Sequence, residues 1–374
     1  MIESNKFLNF LKKNHINFFT GVPDSLLKDL NHDILKKVKK SHHFICANEG
    51  TAVSVAAGYN LATGKIPAVY LQNAGLGNLI NPLTSLIDKN VYSIPMLILV
   101  GWRGEKGSND EPQHNFKGKI TLNLLKIMKQ KFQVMTGNEK IDFPKLKKGL
   151  ILCKKYQQPL FLVIKKNIFN PKNIKTIPNK KKLKLSIKET LEIITKKFDK
   201  NYRFVSNTGK CSRELNELRK KNDRENIFDF YNVGAMGHVS QISLGISLFS
   251  KKKILCLDGD GSLIMHMGGM STIGFSKSKK LIHILLNNFC HDSVGGQPTS
   301  AITTNFRKIA SACGYKLVYG PINSKLKLIN VIKKIKNKSG PIFIEIHLKR
   351  NIQKKLSRPD RNFINLKNKF MKSL

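Results

Sequence analysis

Asp260 and Asn288 have the residue types and spacing from which a reaction centre is built. They lie within KILCLDGDGSLIMHMGGMSTIGFSKSKKLIHILLNN at 253–288. A β-rich apolar run, Ile254 to Leu257, stops at Gly259-Asp260-Gly261-Ser262. A helical pattern follows, and a second apolar run, Leu281 to Leu286, ends in Asn287-Asn288. The pattern predicts one β-α-β unit with polar residues at both strand ends. In parallel α/β sheets ligands sit at those carboxyl ends, where glycines let the backbone approach a phosphate and the next helix offers free N–H groups. Gly259, Gly261 and Ser262 are therefore candidate diphosphate-binding residues. On neighbouring strand tips, the Asp260 carboxylate and the Asn288 amide oxygen suit a hard octahedral cation such as Mg²⁺, with phosphate oxygens completing the shell. A simple turn at GDG and a simple strand cap at NN is the plainer account of each motif alone. Their placement around one complete β-α-β unit favours the site.

The elements that must hold such a site repeat along the chain. Strand, polar turn and helix recur at Phe18-Phe19 with Gly21-Val22-Pro23-Asp24-Ser25, at His42 to Ala47 with Asn48-Glu49-Gly50-Thr51, and at Pro67 to Leu71 with the glycine- and asparagine-bearing turn after it. Ser4 is read as the cap of a first helix, and Gly64 closes the alanine-rich helix that follows Glu49. Pro95 to Val100 is a buried strand with Gly101-Trp102-Arg103-Gly104-Glu105 at its tip. The polar segment to Phe116 is long for a connection and is read as a functional loop. Pro159 to Ile164 completes a first α/β domain, residues 1–166. Residues 167–185, rich in proline, asparagine and lysine, read as a linker. A second domain, 186–350, opens with the capping box Ser186 to Glu189 and continues through strands at Arg203 to Ser206, Ile227 to Val233, Ile254 to Leu257, Leu281 to Leu286, Lys316 to Tyr319 and Ile342 to Ile346. Residues 351–374 are a basic, weakly patterned tail. The fold class is α/β: two mostly parallel sheets flanked by helices, with no middle domain.

Composition narrows the function class. The chain has 374 residues, with 66 basic against 24 acidic side chains and a formal net charge of +42. That charge alone would point to nucleic acid or an anionic membrane. The lysines are instead spread over every helix and loop, as in Lys36 to Lys40 and Lys333 to Lys338, so solvated faces are the plainer account, and neither specific nucleic-acid binding nor membrane attachment is expected. No apolar run reaches transmembrane length and no signal peptide is evident, so a cytoplasmic protein is expected. Six scattered cysteines without C-x-x-C spacing indicate neither disulfides nor zinc.

GDG followed after some 25 residues by NN resembles the signature of thiamine-diphosphate enzymes. The resemblance extends through GVPDSLLK at 21–28, ANEGTAVSVAAGY at 47–59, QNAGLGNLINPLTSL at 72–86, VYSIPMLILVGWRGEKGSNDEPQH at 91–114, TGKCSREL at 208–215, VGAMGHVSQISLGISL at 233–248 and HDSVGGQPT at 291–299. Together these resemble the phosphonopyruvate decarboxylase family nearly end to end. Lys106 stands where a proline is usual, and Phe289-Cys290 follow NN where small residues are usual.

The resemblance implies two thiamine-diphosphate-binding domains, one for the pyrimidine ring and one for the diphosphate. It implies Asp260, Asn288 and the backbone carbonyl of Cys290 as metal ligands, with Glu49 as the catalytic carboxylate on the pyrimidine N1′. Met236 would support the bent cofactor, and the Gly234 carbonyl would face its 4′-nitrogen. The implied reaction converts 3-phosphonopyruvate to phosphonoacetaldehyde and CO₂ in phosphonate biosynthesis, with thiamine diphosphate and Mg²⁺. A phosphono group calls for cations and donors, which Arg103, Ser25, His114, His291 and Gln297 could supply. Arg103 pairing with Glu105 or Asp110 to order its loop is the alternative. Sites shared between subunits of a homodimer or higher homo-oligomer are implied. Sulfopyruvate decarboxylation and acetolactate-type carboligation are the competing chemistries.

Overall fold

The structure, a computed structural model, describes every residue except 109, 173–182, 199–200, 222–228, 351–355, 358 and 360–361, and the side chain of Lys221. The chain divides into two compact units, Met1–Thr176 and Ile177–Leu374.

The first unit alternates helices and strands: α1 (Ser4–Lys13), β1 (Phe19–Gly21), α2 (Lys28–Lys37), β2 (His43–Ile45), α3 (Glu49–Thr63), β3 (Ala68–Gln72), α4 (Leu76–Ser85), β4 (Leu97–Gly101), α5 (Pro112–Ile127), β5 (Lys131–Val134), α6 (Glu139–Tyr156) and β6 (Leu160–Ile164). All strands pair in parallel, in the order β2-β1-β3-β4-β6-β5. Helices cover both faces, which is why central strands such as Leu97–Gly101 are buried along their whole length and read as continuous apolar runs. One face packs Phe7, Leu8, Leu30 and Leu146 against Leu97 and Leu99; the other packs Ala52, Ala56, Leu79 and Leu83 against Ile98 and Val100. Ser4 is the first helical residue rather than the cap, and its hydroxyl donates to Asp33 over 2.6 Å. Residues 167–172, grouped by composition with the linker, are packed into this unit: Ile168 and Phe169 are core, and Lys172 pairs with Asp33. The central part of the expected linker lies outside the described residues.

The second unit contains α7 (Ile187–Lys197), β7 (Tyr202–Ser206), α8 (Lys210–Lys221), β8 (Phe230–Tyr231), α9 (Val239–Phe249), β9 (Lys253–Gly259), α10 (Asp260–Met265), α11 (Gly269–Ser276), β10 (Leu281–Asn287), a small hairpin of β11 (Cys290–His291) and β12 (Gln297–Pro298), α12 (Phe306–Ala312), β13 (Leu317–Ile322), α13 (Lys325–Ile335), β14 (Ile342–His347) and α14 (Phe363–Lys372). Its six-stranded sheet is also parallel, in the order β13-β14-β10-β9-β7-β8. The capping box of Ser186 and Glu189 is formed. Within the expected tail, α14 buries Phe370 against Phe230. The six cysteines are free, and among the described residues no helix is long and apolar enough to cross a membrane.

Candidate active site

In the first unit the site is built at the ends of β1, β2, β3 and β4. After β1, Asp24 is 0% exposed and accepts hydrogen bonds from Gln72 Nε2 over 2.7 Å and from the Leu26 N–H. Burial pushes its carboxyl above the ordinary range, against the opposing pull of those donors and of the Arg103 charge. After β4, Arg103 donates from Nε to Asp110 Oδ2 over 2.7 Å, from Nη2 to Asp110 Oδ1, and from Nη1 to Ser25 Oγ over 2.7 Å. Arg103 is thus neutralised by Asp110, and the loop is folded around that pair: Asp110 also accepts the Gly104 N–H at 2.9 Å and the Glu111 N–H at 2.7 Å. Glu105 turns instead to Lys165. His114 lies in the first turn of α5, where burial and the Arg103 charge push its pKa down to about 4, leaving a neutral imidazole. Ser25, Arg103 and His114, each read from a separate motif, belong to one cluster. Asp24 and Gln72, which complete it, were not singled out by the sequence; the signal available was their polarity at predicted strand tips.

Glu49 opens α3 behind the Asn48 cap, whose Oδ1 accepts the Thr51 N–H over 2.9 Å. Its side chain is turned inward: the residue is 4% exposed and its Oε2 accepts from Asn78 Nδ2 over 2.7 Å. Burial raises its pKa, with the Asn78 hydrogen bond the principal opposing influence. A carboxyl so placed holds a proton more readily than a solvated one. Asn78, in the first turn of α4, is a further residue the sequence did not assign.

In the second unit Asp260 is 3% exposed at the start of α10. Burial raises its pKa to about 7, opposed by the Thr299 hydroxyl, which donates to Oδ2 over 2.5 Å, and by backbone groups of Asp260, Asn288 and Gly261. The His291 ring lies against Gly261, where a Cβ would come within 2.9 Å of it. Ser262 Oγ accepts the Gly237 N–H over 3.1 Å, tying the GDGS turn to the Gly234-Ala235-Met236-Gly237 loop. That loop bends through positive φ at Ala235 and at Gly237, and a Cβ at Gly237 would lie 2.5 Å from the His266 ring.

Past β10, Asn288 Oδ1 accepts the Cys290 N–H over 3.1 Å and the Cys290 carbonyl accepts the Asp292 N–H over 3.0 Å. His291 and Gln297 face each other across the β11–β12 hairpin, and burial holds His291 neutral, with a pKa of about 4. Asp292, which the sequence did not single out, gathers Lys210 at 3.1 Å, Asn288 Nδ2 at 3.2 Å, the Cys290 thiol at 3.3 Å and Arg350 at 3.7 Å. Gly234, Met236, Gly259, Asp260, Gly261, Ser262, Asn288, Cys290, His291 and Gln297 thus all lie in the second unit, at the end of β9, in α10, in the β11–β12 hairpin or in loops, while Glu49, Ser25, Arg103 and His114 lie in the first.

Two successive parallel α/β units with these turns are the two halves of a thiamine-diphosphate enzyme. Residues 4–125 match the thiamine pyrophosphate enzyme N-terminal TPP binding domain, and residues 207–346 match the C-terminal TPP binding domain. The chain is 32% identical over 313 residues to phosphonopyruvate decarboxylase of Streptomyces viridochromogenes, covering 80% of this chain and 77% of that protein. It is 28% identical over 378 residues to phosphonopyruvate decarboxylase of Streptomyces hygroscopicus, covering 96% and 90%. Sulfopyruvate decarboxylase of Methanosarcina acetivorans is 28% identical over 368 residues, covering 92% and 90%. The chain belongs to the thiamine-diphosphate-dependent decarboxylase family and is a carboxy-lyase.

Proposed function

We propose that the protein decarboxylates 3-phosphonopyruvate to phosphonoacetaldehyde and CO₂, using thiamine diphosphate and Mg²⁺, as a step of phosphonate biosynthesis in the cytoplasm. The observation that carries this reading is the similarity to two phosphonopyruvate decarboxylases along most of the chain.

The donor set fits a diphosphate-bound hard cation. Asp260 is a buried carboxyl surrounded by hydroxyl and N–H donors, the chemistry that a divalent ion would complete. Asp260, Asn288 Oδ1 and the Cys290 carbonyl would hold the metal, with Gly259, Gly261 and Ser262 at the diphosphate. When bound, thiamine diphosphate supplies the electron sink for loss of CO₂ from a 2-keto acid. Glu49 would hold a proton at the pyrimidine N1′, the Gly234 carbonyl would accept from the 4′-amino group, and Met236 would support the bend. Ser25, Arg103, His114, His291 and Gln297 would bind and orient the substrate; Arg103 keeps N–H groups beyond those given to Asp110 and Ser25, since a guanidinium has five. The active protein would be a homodimer or higher homo-oligomer with each site shared between subunits.

A sulfonate in place of the phosphonate is the second reading, favoured by the long match to a sulfopyruvate decarboxylase. The test is CO₂ release from phosphonopyruvate, sulfopyruvate and pyruvate, each with thiamine diphosphate and Mg²⁺. Fastest release from phosphonopyruvate is expected, and a preference for sulfopyruvate would replace the first reading by the second.

A further inference from the structure

Asn287, the first asparagine of NN, is fully buried, and its amide is used in both directions. Nδ2 donates to Glu345 Oε1 over 3.0 Å, and Oδ1 accepts the Phe289 N–H over 3.1 Å. Phe289 stands at φ 63, a backbone conformation that bulky residues rarely adopt and that persists only when surrounding contacts enforce it.

A second contact on Phe289, made by His347, leads back to the same carboxylate. His347 packs against the Phe289 ring edge-on, with centroids 4.9 Å apart, and its Nε2 lies 2.9 Å from Glu345 Oε1. Glu345 and His347 sit on β14, opposite Leu285 and Asn287 of β10. Glu345 is 5% exposed, and Arg307 Nε lies 3.5 Å from its second oxygen. The backbone of Phe289 is thus fixed through Asn287 and its ring through His347, and both fixings meet at one carboxylate. On either side of Phe289 stand Asn288 and Cys290.

We propose that Glu345 is a positioning residue for the metal-holding turn: it fixes Asn287 and His347, which together set Phe289 and hence the Asn288 and Cys290 donors. The proposal rests on the reading of Asn288 and Cys290 as metal donors. Groups that orient ligands without touching the metal govern its affinity because the ligands must otherwise be ordered as the ion binds.

The experiment is calorimetric titration of Mg²⁺ into protein saturated with thiamine diphosphate, with circular dichroism and melting of the metal-free protein in parallel. Glu345→Ala is expected to weaken Mg²⁺ binding by about 10- to 100-fold while the fold is kept. Glu345→Gln, whose amide oxygen can still accept both N–H groups, should restore binding to within about threefold of the parent. Because Glu345 acts in part through Asn287, the loss in the Glu345→Ala, Asn287→Ala double variant should fall short of the product of the two single losses. Should Glu345→Ala fail to fold, Asn287→Ser cuts the asparagine link with the carboxylate and His347 in place, and a loss in the same direction but smaller is expected of it. A folded variant that binds Mg²⁺ like the parent, or a double variant whose loss is the product of the single ones, would overturn the proposal. A parent that binds no Mg²⁺ with thiamine diphosphate present would overturn the reading of the turn itself.

Discussion

Gly75 approaches Glu49 so closely that a Cβ at residue 75 would lie 2.2 Å from the Glu49 Oε1. The carboxyl therefore lies between the backbone at Gly75 and the side chain of Asn78, which donates to its other oxygen over 2.7 Å. Glu49→Gln keeps the shape of this group and removes its acidic oxygen. The expected outcome is retained thiamine diphosphate binding with turnover and C2 proton exchange reduced by orders of magnitude; near-normal turnover would reject the assignment. Gly75→Ala should reproduce part of that loss by displacing the carboxyl, with the melting temperature measured alongside to separate displacement from unfolding.

Asp260 is buried with hydroxyl and N–H partners, so its removal should be felt through the metal. In Asp260→Ala the apparent requirements for Mg²⁺ and for thiamine diphosphate should rise together, because each holds the other in place. Titrating each ligand at fixed concentrations of the other checks this, and unchanged requirements for both would exclude Asp260 as a ligand.

Much of this arrangement was legible in the sequence because parallel strands buried on both faces read as apolar runs ending in polar turns; Ile254 to Leu257 with GDG and Leu281 to Leu286 with NN are the plainest instances. Edge strands carry less of that signal. Among the described residues Lys131–Val134 pairs only with β6; it keeps a mixed KFQV pattern and was passed over as a strand. Side-chain direction in loops was not legible either: spacing left Glu105 and Asp110 equally able to reach Arg103, and folding gives it to Asp110. Glu345 could not be connected to NN from the sequence, since they meet only through the pairing of β14 with β10, 58 residues apart along the chain.

Acid sensitivity follows from two histidines of the first unit. Burial pushes both His43 and His114 down to about 4 from an ordinary value of 6.5, for His114 with help from Arg103. Between those values the unfolded chain takes up protons that the folded chain refuses. Stability should therefore be full above pH 6.5, fall as the pH drops toward 4 and stop responding to these groups below it. Urea unfolding across this range should show proton uptake on unfolding, and His43→Asn should lower that uptake by up to about one proton. An unchanged uptake would show that His43 titrates normally in the fold.

Assembly can be tested without a structure of the oligomer. If each site draws Glu49 from one subunit and Asp260 from its partner, mixing inactive Glu49→Gln with inactive Asp260→Ala protein should restore part of the activity after subunit exchange. A monomer with full activity would contradict shared sites.

Substrate choice should be decided by the groups that hold the charge remaining after CO₂ departs. Phosphonopyruvate loses its carboxylate and keeps its phosphono dianion, so binding energy is best used on the latter. Arg103 is held in place by Asp110 and Ser25, which fixes the plane of the guanidinium and leaves N–H groups for an anion. Loss of a charge-assisted contact costs about 2 kcal/mol or more, roughly thirtyfold in kcat/KM. Arg103→Ala should therefore depress kcat/KM for phosphonopyruvate by about that factor while leaving residual turnover of pyruvate, which has no phosphono group, nearly as it was. Asp110→Ala makes a useful contrast: it leaves the guanidinium but releases the loop, so it should impair both substrates alike. If Arg103→Ala also impairs both alike, Arg103 serves only to order its loop, and the phosphono group must be bound elsewhere, with His291 and Gln297 the next residues to vary.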